Sequence, residues 1–216
     1  MLDDPAALRP DSIYESLRTD IIEQREHPGT TITESAVALR FGVARPTARI
    51  AIDRLVAEGL LRREAHQAAR IPQLSRDDVI DLFDNRVIVE AAAIVNLAQG
   101  GTIPAAALAA HRELLERART DEPYASADIT FHRALITGQP SARLARMHGL
   151  LMGEIELCIG QVQAQRLRSA RDVADEHQAI LDAVTAGDAA LAERLIRTHI
   201  EGSRDRLVAH FDGSRP

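Results

Sequence analysis

The stretch after Ser75 constrains this chain more than any other: from there to His210 the sequence is helical in pattern almost throughout. Candidate helices run over Arg76 to Ala98, Pro104 to Arg119, Pro123 to Thr137, Ala142 to Gln165, Ser169 to Ala186 and Ala189 to His210. The breaks between them are short and built from helix-stopping residues, namely Gly100-Gly101, Asp121-Glu122-Pro123, Gly138-Gln139-Pro140 and Gly187-Asp188. Six helices on short links predict an antiparallel bundle. Ser75-x-x-Asp78 reads as a capping box at the start of the first, with Asp in place of the usual Glu. Pro72 to Ser75 marks a boundary, so the expected domains are residues 1–72 and 73–216.

The segment before that boundary has a different pattern. Asp11 to Glu26 predicts a helix with an apolar stripe of Ile13, Leu17, Ile21 and Ile22, stopped by His27-Pro28-Gly29. Thr33 is placed as an N-cap, and Glu34 to Phe41 predicts a short helix carrying Ala36, Val37 and Leu39 inward. Gly42 supplies a tight turn. A third helix starts near Ala44-Arg45-Pro46, where a first-turn proline loses no hydrogen bond, and ends at Gly59. Leu60 to Arg63 and Ala69 to Ile71 then pair as a two-stranded wing. The expected fold is mainly α: a winged helix-turn-helix followed by an all-helical bundle.

A net charge of −6 is unpromising for DNA binding, but its distribution matters. Pro10 to Gln73 holds nine Arg against nine Asp and Glu, so this segment is neutral and the acidic excess lies elsewhere. All 26 basic residues are Arg, whose forked donors suit phosphate and guanine, although genomic base composition explains the absence of Lys equally well. With 3% aromatics and no Trp, a base-stacking platform for single strands is excluded. The lone Cys158, between Leu157 and Ile159, reads as a small buried hydrophobe and fits a reducing compartment. No signal-peptide pattern and no apolar run of about 20 residues is present, so the expected location is cytoplasmic, away from any membrane.

A short helix, a turn at Gly42 and a helix opening on Arg45 make a helix-turn-helix candidate. Arg45 and Arg49 share one helical face and can reach base edges or phosphates. Thr47 can donate to a phosphate, and free N–H groups at the helix start add an anion site. Arg54 is better placed for an ion pair with Glu58. Spacing alone leaves an ordinary helical hairpin with exposed arginines as an equal reading. The stretch TESAVALRFGVARPTARIAIDRLVAEGLL, Thr33 to Leu61, resembles the GntR family of winged-helix repressors through Gly42-Val43, Arg45-Pro46-Thr47, Arg49, Leu55 and Glu58-Gly59-Leu60.

That resemblance implies Arg45 and Arg49 as groove contacts, supported by Thr47. The chain departs from the family pattern at three points: Ser35 stands where an Arg is usual, Ala44 where Ser or Thr is usual, and the wing tip Glu64 to Ala69 lacks a Gly. His66 or Gln67 is the expected substitute at the wing. Few phosphate contacts on a neutral domain predict modest affinity and a shallow salt slope, so two copies on a dimer are needed.

The second chemical signal lies in the bundle. Asp128 and His132 are four residues apart on one helix, hence on one face. His177 precedes Gly187 by ten residues and His199 follows Asp188 by eleven, so antiparallel packing sets both at about 15–17 Å from the turn. Three His and a carboxylate suit a divalent metal, zinc foremost, with nickel, manganese or iron as alternatives. Eight His also produce agreeable spacings by chance, and a surface or core role for each stays open. Asp128-x-x-Phe131-His132 with His177 and His199 resembles the FCD effector domain of the FadR subfamily. The likeness implies a metal held by Asp128, His132, His177 and His199 beneath a ligand cavity, with Arg86 facing that cavity.

A metal with open positions can take the carboxylate of a small organic acid, and Arg86 could add a forked salt bridge, or else pair with Glu90. His148, Glu154 and Gln165 are further pocket candidates or a solvated face, and His27, His111 and His210 are expected at the surface. The expected protein is a homodimeric transcription regulator, repressor by default, of a metabolic operon. It binds a palindromic double-stranded operator and answers to a small carboxylate. A metal-dependent enzyme is the main alternative, but no base sits beside a nucleophile; a dimerising DNA-binding protein without effector is the other.

Overall fold

In a computed structural model, which describes residues 10–213, the chain divides into two compact units between Leu74 and Ser75. The first unit contains α1 (Pro10–Ile22), β1 (Thr31–Ile32), α2 (Glu34–Phe41), α3 (Arg45–Ala57) and β2 (Ala69–Arg70). Its core is Ile13, Leu17, Ile21, Ile52, Leu55, Leu60, Leu61 and Ile71, all nearly or fully buried. Thr33 caps α2 by accepting the Ala36 N–H at 3.1 Å, and Gly42 ends it at φ +65, a conformation that favours glycine. α1 stops at Ile22, short of the expected Glu26, because Gln24 turns left-handed at φ +58. A second departure lies in α2. Val37 and Ala38 are buried, whereas Ala36 is exposed and Leu39 is 85% exposed, so the inward face is narrower than expected.

Of the expected two-stranded wing a single bridge forms, and β2 has a further partner. Arg62 and Arg70 exchange both backbone hydrogen bonds, at 2.8 and 2.9 Å. On its other side β2 pairs antiparallel with β1, Thr31 opposite Arg70 and Ile32 opposite Ala69, a strand the sequence did not suggest. The ladder therefore ties the wing to the segment that leads into α2. His66, at the wing tip, has φ +63. It adopts the left-handed geometry for which a glycine would ordinarily be used.

The second unit is the helical bundle: α4 (Arg76–Gly100), α5 (Ala105–Thr120), α6 (Ala125–Thr137), α7 (Ala142–Ala164), α8 (Ala170–Thr185) and α9 (Ala189–Gly213). Ser75 and Asp78 form the complete capping box of α4. Arg76 meets Asp212 and Arg204 meets Asp84, so the two long helices α4 and α9 run antiparallel along each other. α6 and α7 are likewise antiparallel, with Gln163 accepting from the start of α6 and Arg133 pairing with the buried Glu156. α5 leaves α4 at 110°. Gly138 lets the end of α6 press on Pro104: a Cβ there would lie 2.3 Å from the proline ring. No single helix among the described residues is long and apolar enough to cross a membrane. Cys158 is fully buried and its thiol is pushed up to about 12 by burial.

Candidate DNA-reading groove and metal centre

Ala44 gives α3 no side-chain cap. The anion site at this helix start is thinner than the sequence suggested: Pro46 has no N–H and that of Thr47 is taken by the Ala44 carbonyl at 3.0 Å. At most the Arg45 N–H is left for an external acceptor. The side chains carry more. Arg45 and Arg49 are 70% and 63% exposed, and they line a groove of about 480 Å³ between α3 and the wing. Glu34, Arg63, His66 and Gln67 share that groove; Thr47 is half-buried and lies outside it.

Carboxylates hold these arginines in place. Glu34 lies 3.8 Å from both Arg45 and Arg49, while Asp53 approaches Arg49 at 3.6 Å and Arg63 at 2.6 Å. Such exposed pairs contribute little stability but keep long side chains in the groove. Three arginines against two carboxylates leave a small positive excess where the whole chain is acidic. Gln67 folds back onto Glu64 at 2.8 Å. Arg54 lies outside the groove, stacked 3.6 Å over the Tyr14 ring and paired with Asp11 and Glu58. Arg63, Glu34 and Asp53 escaped the sequence reading, because nothing in local spacing brings the wing base to α3.

In the bundle, α6 supplies Asp128 and His132, α8 supplies His177 and α9 supplies His199, all four buried. One ligating atom from each lies within 4.8 Å of the others. His132 Nε2 is 3.1 Å from His199 Nε2, and His177 Nε2 is 3.4 Å from His199 Nε2 and 3.2 Å from Asp128 Oδ1. Ligands at about 2.1 Å from a common ion are separated by about 3.0 Å at right angles and about 3.4 Å at tetrahedral angles. The four atoms have the spacing of a coordination shell.

Their neighbours fix which atoms face inward. His132 Nδ1 donates to Glu90 at 2.6 Å, and His199 Nδ1 donates to Glu176 at 2.7 Å. Each carboxylate anchors the Nδ1–H tautomer, leaving the Nε2 lone pair aimed at the centre. The approach of Arg168 to His199 Nδ1 at 3.4 Å is then a contact of two donors. His177 has no such anchor; Phe131 stacks on its ring at 3.9 Å. Burial pushes His177 down to about 3 and His199 down to about 4, so both are neutral acceptors at pH 7. His132 is raised: burial acts to lower it, but Glu90 beside it outweighs that. Burial acts to raise Asp128, but the imidazoles of His132 and His177 beside it hold it well below the usual range. The Nε2 lone pairs of His177 and His199 and the Asp128 carboxylate oxygen are buried and converge with His132 Nε2 on one point. A cation resolves that arrangement, and a divalent metal fits the donor set.

Glu90 is the hub of the surrounding network. It takes Arg86 Nε at 2.7 Å, His132, and His148 Nε2 at 3.1 Å. Arg86 pairs with Glu90 and also lines a cavity beside Asp128 and His199. Arg168 and Ser203 line the same cavity, whose free volume is about 10 Å³. Glu154 is half-buried and Gln165 exposed, and neither lines it. His111, expected at the surface, is instead 4% exposed and bonded to Gln178 at 3.0 Å. Its place beside Ala107, Ala110 and Leu114 on the buried stripe of α5 was the signal. His27 is exposed and His210 half-buried.

Comparison with known proteins agrees with both units. Residues 10–71 match the family of bacterial regulatory proteins named gntR, and residues 81–202 match the FCD domain. The HTH-type transcriptional regulator BphR of Paraburkholderia xenovorans (strain LB400) is 30% identical over 203 residues, 89% of this chain and 82% of that protein. The HTH-type transcriptional repressor GlaR of Escherichia coli (strain K12) is 27% identical, over 87% of this chain and 90% of that one. A GntR transcriptional regulator of Rhodococcus sp. RHA1 shares the fold, with a TM-score of 0.78 at 23% identity, covering 96% of this chain and 99% of that one. The chain belongs to the GntR family of bacterial transcription regulators, with an N-terminal gntR helix-turn-helix and a C-terminal FCD domain.

Proposed function

We propose that this regulator is a cytoplasmic homodimeric repressor of the FadR subfamily, acting on the palindromic operator of a metabolic operon. Arg45 and Arg49 read base edges in the major groove, Thr47 supports them at a phosphate, and His66 or Gln67 reaches from the wing. Asp128, His132, His177 and His199 hold a divalent metal, zinc foremost, and a small carboxylate effector binds beside it with Arg86. The observation that carries the metal is the convergence of three Nε2 atoms and Asp128 Oδ1 within 4.8 Å, two of the rings anchored from behind by carboxylates. Bound there, the metal would supply a Lewis-acid position for a carboxylate oxygen. Arg86 orients the acid, and the buried walls exclude water that would compete for both. The effector acts by binding one of two states better, which couples its site to operator affinity.

The test joins metal analysis to operator binding. Purified protein is expected to carry one divalent metal per chain, and Asp128→Ala and His177→Ala to lose it while keeping helical content. Fluorescence anisotropy on an operator fragment reads the coupled effect, which is a loss of effector response in both variants. Metal-free protein from metal-replete growth, or variants that keep their metal, overturns the centre.

A further inference from the structure

The cavity beside the metal centre holds a feature that metal binding does not absorb. Two buried arginines reach it from different elements: Arg86 from α4, 1% exposed, and Arg168 from the α7–α8 link, 6% exposed. Each has a carboxylate partner, Glu90 for Arg86 and Glu176 for Arg168. Neither guanidinium is fully satisfied: Arg86 Nη2 and Arg168 Nε are buried without a hydrogen-bond acceptor among the described residues. A buried donor left unmade is costly, most of all on a charged group, so such atoms mark where an acceptor belongs. Arg168 is also oriented by Ser203, to which its Nη1 donates at 3.0 Å.

The number of acceptors needed sets the ligand class. A single carboxylate between the metal and one guanidinium uses its two oxygens there, and leaves the other arginine unsatisfied. A ligand with two anionic groups meets both. We propose that Arg168 is a second anion-binding residue of the effector cavity, and that the effector is a small dicarboxylate gripped by Arg86 and Arg168 on either side of the metal centre. This rests on the effector reading given above. It narrows the acid from any carboxylate to a diacid and adds a residue outside every helical pattern. The free volume of about 10 Å³ is at the limit for one water, so a wall must give on binding. Arg168 stands on the short link just after Arg166, itself at φ +50, and this link is the wall that carries the second arginine.

The test is isothermal titration of zinc-loaded full-length protein with malonate, succinate, glutarate and adipate, each beside its monoacid of equal length. At least one diacid is expected to bind tenfold or more tightly than its matched monoacid. Arg168→Gln is expected to reduce that diacid to the monoacid's affinity, and Arg168→Lys to fall between, with zinc stoichiometry and circular dichroism unchanged in both. Equal affinity for diacids and monoacids overturns the proposal, as does an unaltered diacid affinity in folded Arg168→Gln. Zinc-loaded protein that binds neither class sinks the carboxylate effector itself, a result distinct from the other two.

Discussion

The two units place their polar chemistry in opposite ways. Of the twelve buried polar or charged side chains among the described residues, eleven lie in the helical unit and only Asp20 lies in the DNA-reading one. Arg45 and Arg49 are 70% and 63% exposed in the groove, while the four clustered His and Asp side chains and their hub Glu90 lie buried in a dry interior. A surface proposed to meet a polyanion keeps its charges in water, where exposed ion pairs exchange at little cost. A site proposed for one ion and one small acid must hold its donors fixed before either arrives, because desolvated charges tolerate no misplacement. Loss of a groove residue should therefore change binding without stability, and loss of a centre residue should change both.

The largest effect is expected from Arg49→Ala. A base-contacting arginine is worth about 1–3 kcal/mol, doubled on a dimer to about 2–6 kcal/mol, so operator affinity should fall between about thirtyfold and beyond detection. The melting temperature should stay near wild type, since the side chain is mostly solvent-exposed. Anisotropy and thermal melts read the two quantities separately. Intact operator binding would remove α3 from the reading role, and a large drop in melting temperature would blur the division between the units.

Glu90→Gln probes the other side. Its carboxylate, 1% exposed, compensates buried Arg86 and anchors His132. Removing the charge from a buried pair costs about 3–5 kcal/mol, so the helical unit should melt far lower even without metal. A smaller effect is expected from Glu176→Gln. That carboxylate is 39% exposed, which limits its share of stability, but it fixes the His199 tautomer. Zinc affinity should weaken about 10–100-fold with melting of the apo protein little changed. Equal losses of stability from the two variants would mean that exposure does not separate them as argued.

Which of these residues the sequence could reveal depends on distance along the chain. Arg45 and Arg49 are legible because the motif that orients them is contiguous. Most of the bundle helices are legible because Gly, Pro and Asp separate them, as at Gly101 and Asp121, whereas the α7–α8 link carries none of these and is marked only by the N-cap Ser169. Asp128 and His132 could be paired by helical spacing, and His177 and His199 could be lined up by counting from a turn. Their supports could not: Glu90 is 42 residues from His132, and Arg168 sits in a link with no periodicity. β1, two residues long, gives too little alternation to register, and its partner lies across the wing. Leu39 faces outward against expectation because an eight-residue helix offers only two turns, too few to fix which face is buried.

The smallest effect tests the exception, Asp20. It accepts Arg25 Nε at 2.6 Å and Arg40 Nη2 at 2.5 Å, pinning the end of α1 to α2. Burial acts to raise its carboxyl, but the two arginines win and hold it below the ordinary value. A depressed carboxyl contributes stability above its unfolded value, about 4, and loses it as pH falls through the folded one. Asp20→Asn should therefore lower the melting temperature at pH 7, and the gap from wild type should close as pH drops below about 4. Both arginines are about half-exposed, so the difference should stay within about 1 kcal/mol. A gap as large as that of Glu90→Gln would show that one buried charge in the DNA-reading unit is worth as much as the hub of the metal centre. The contrast between the units would then be one of number and not of kind.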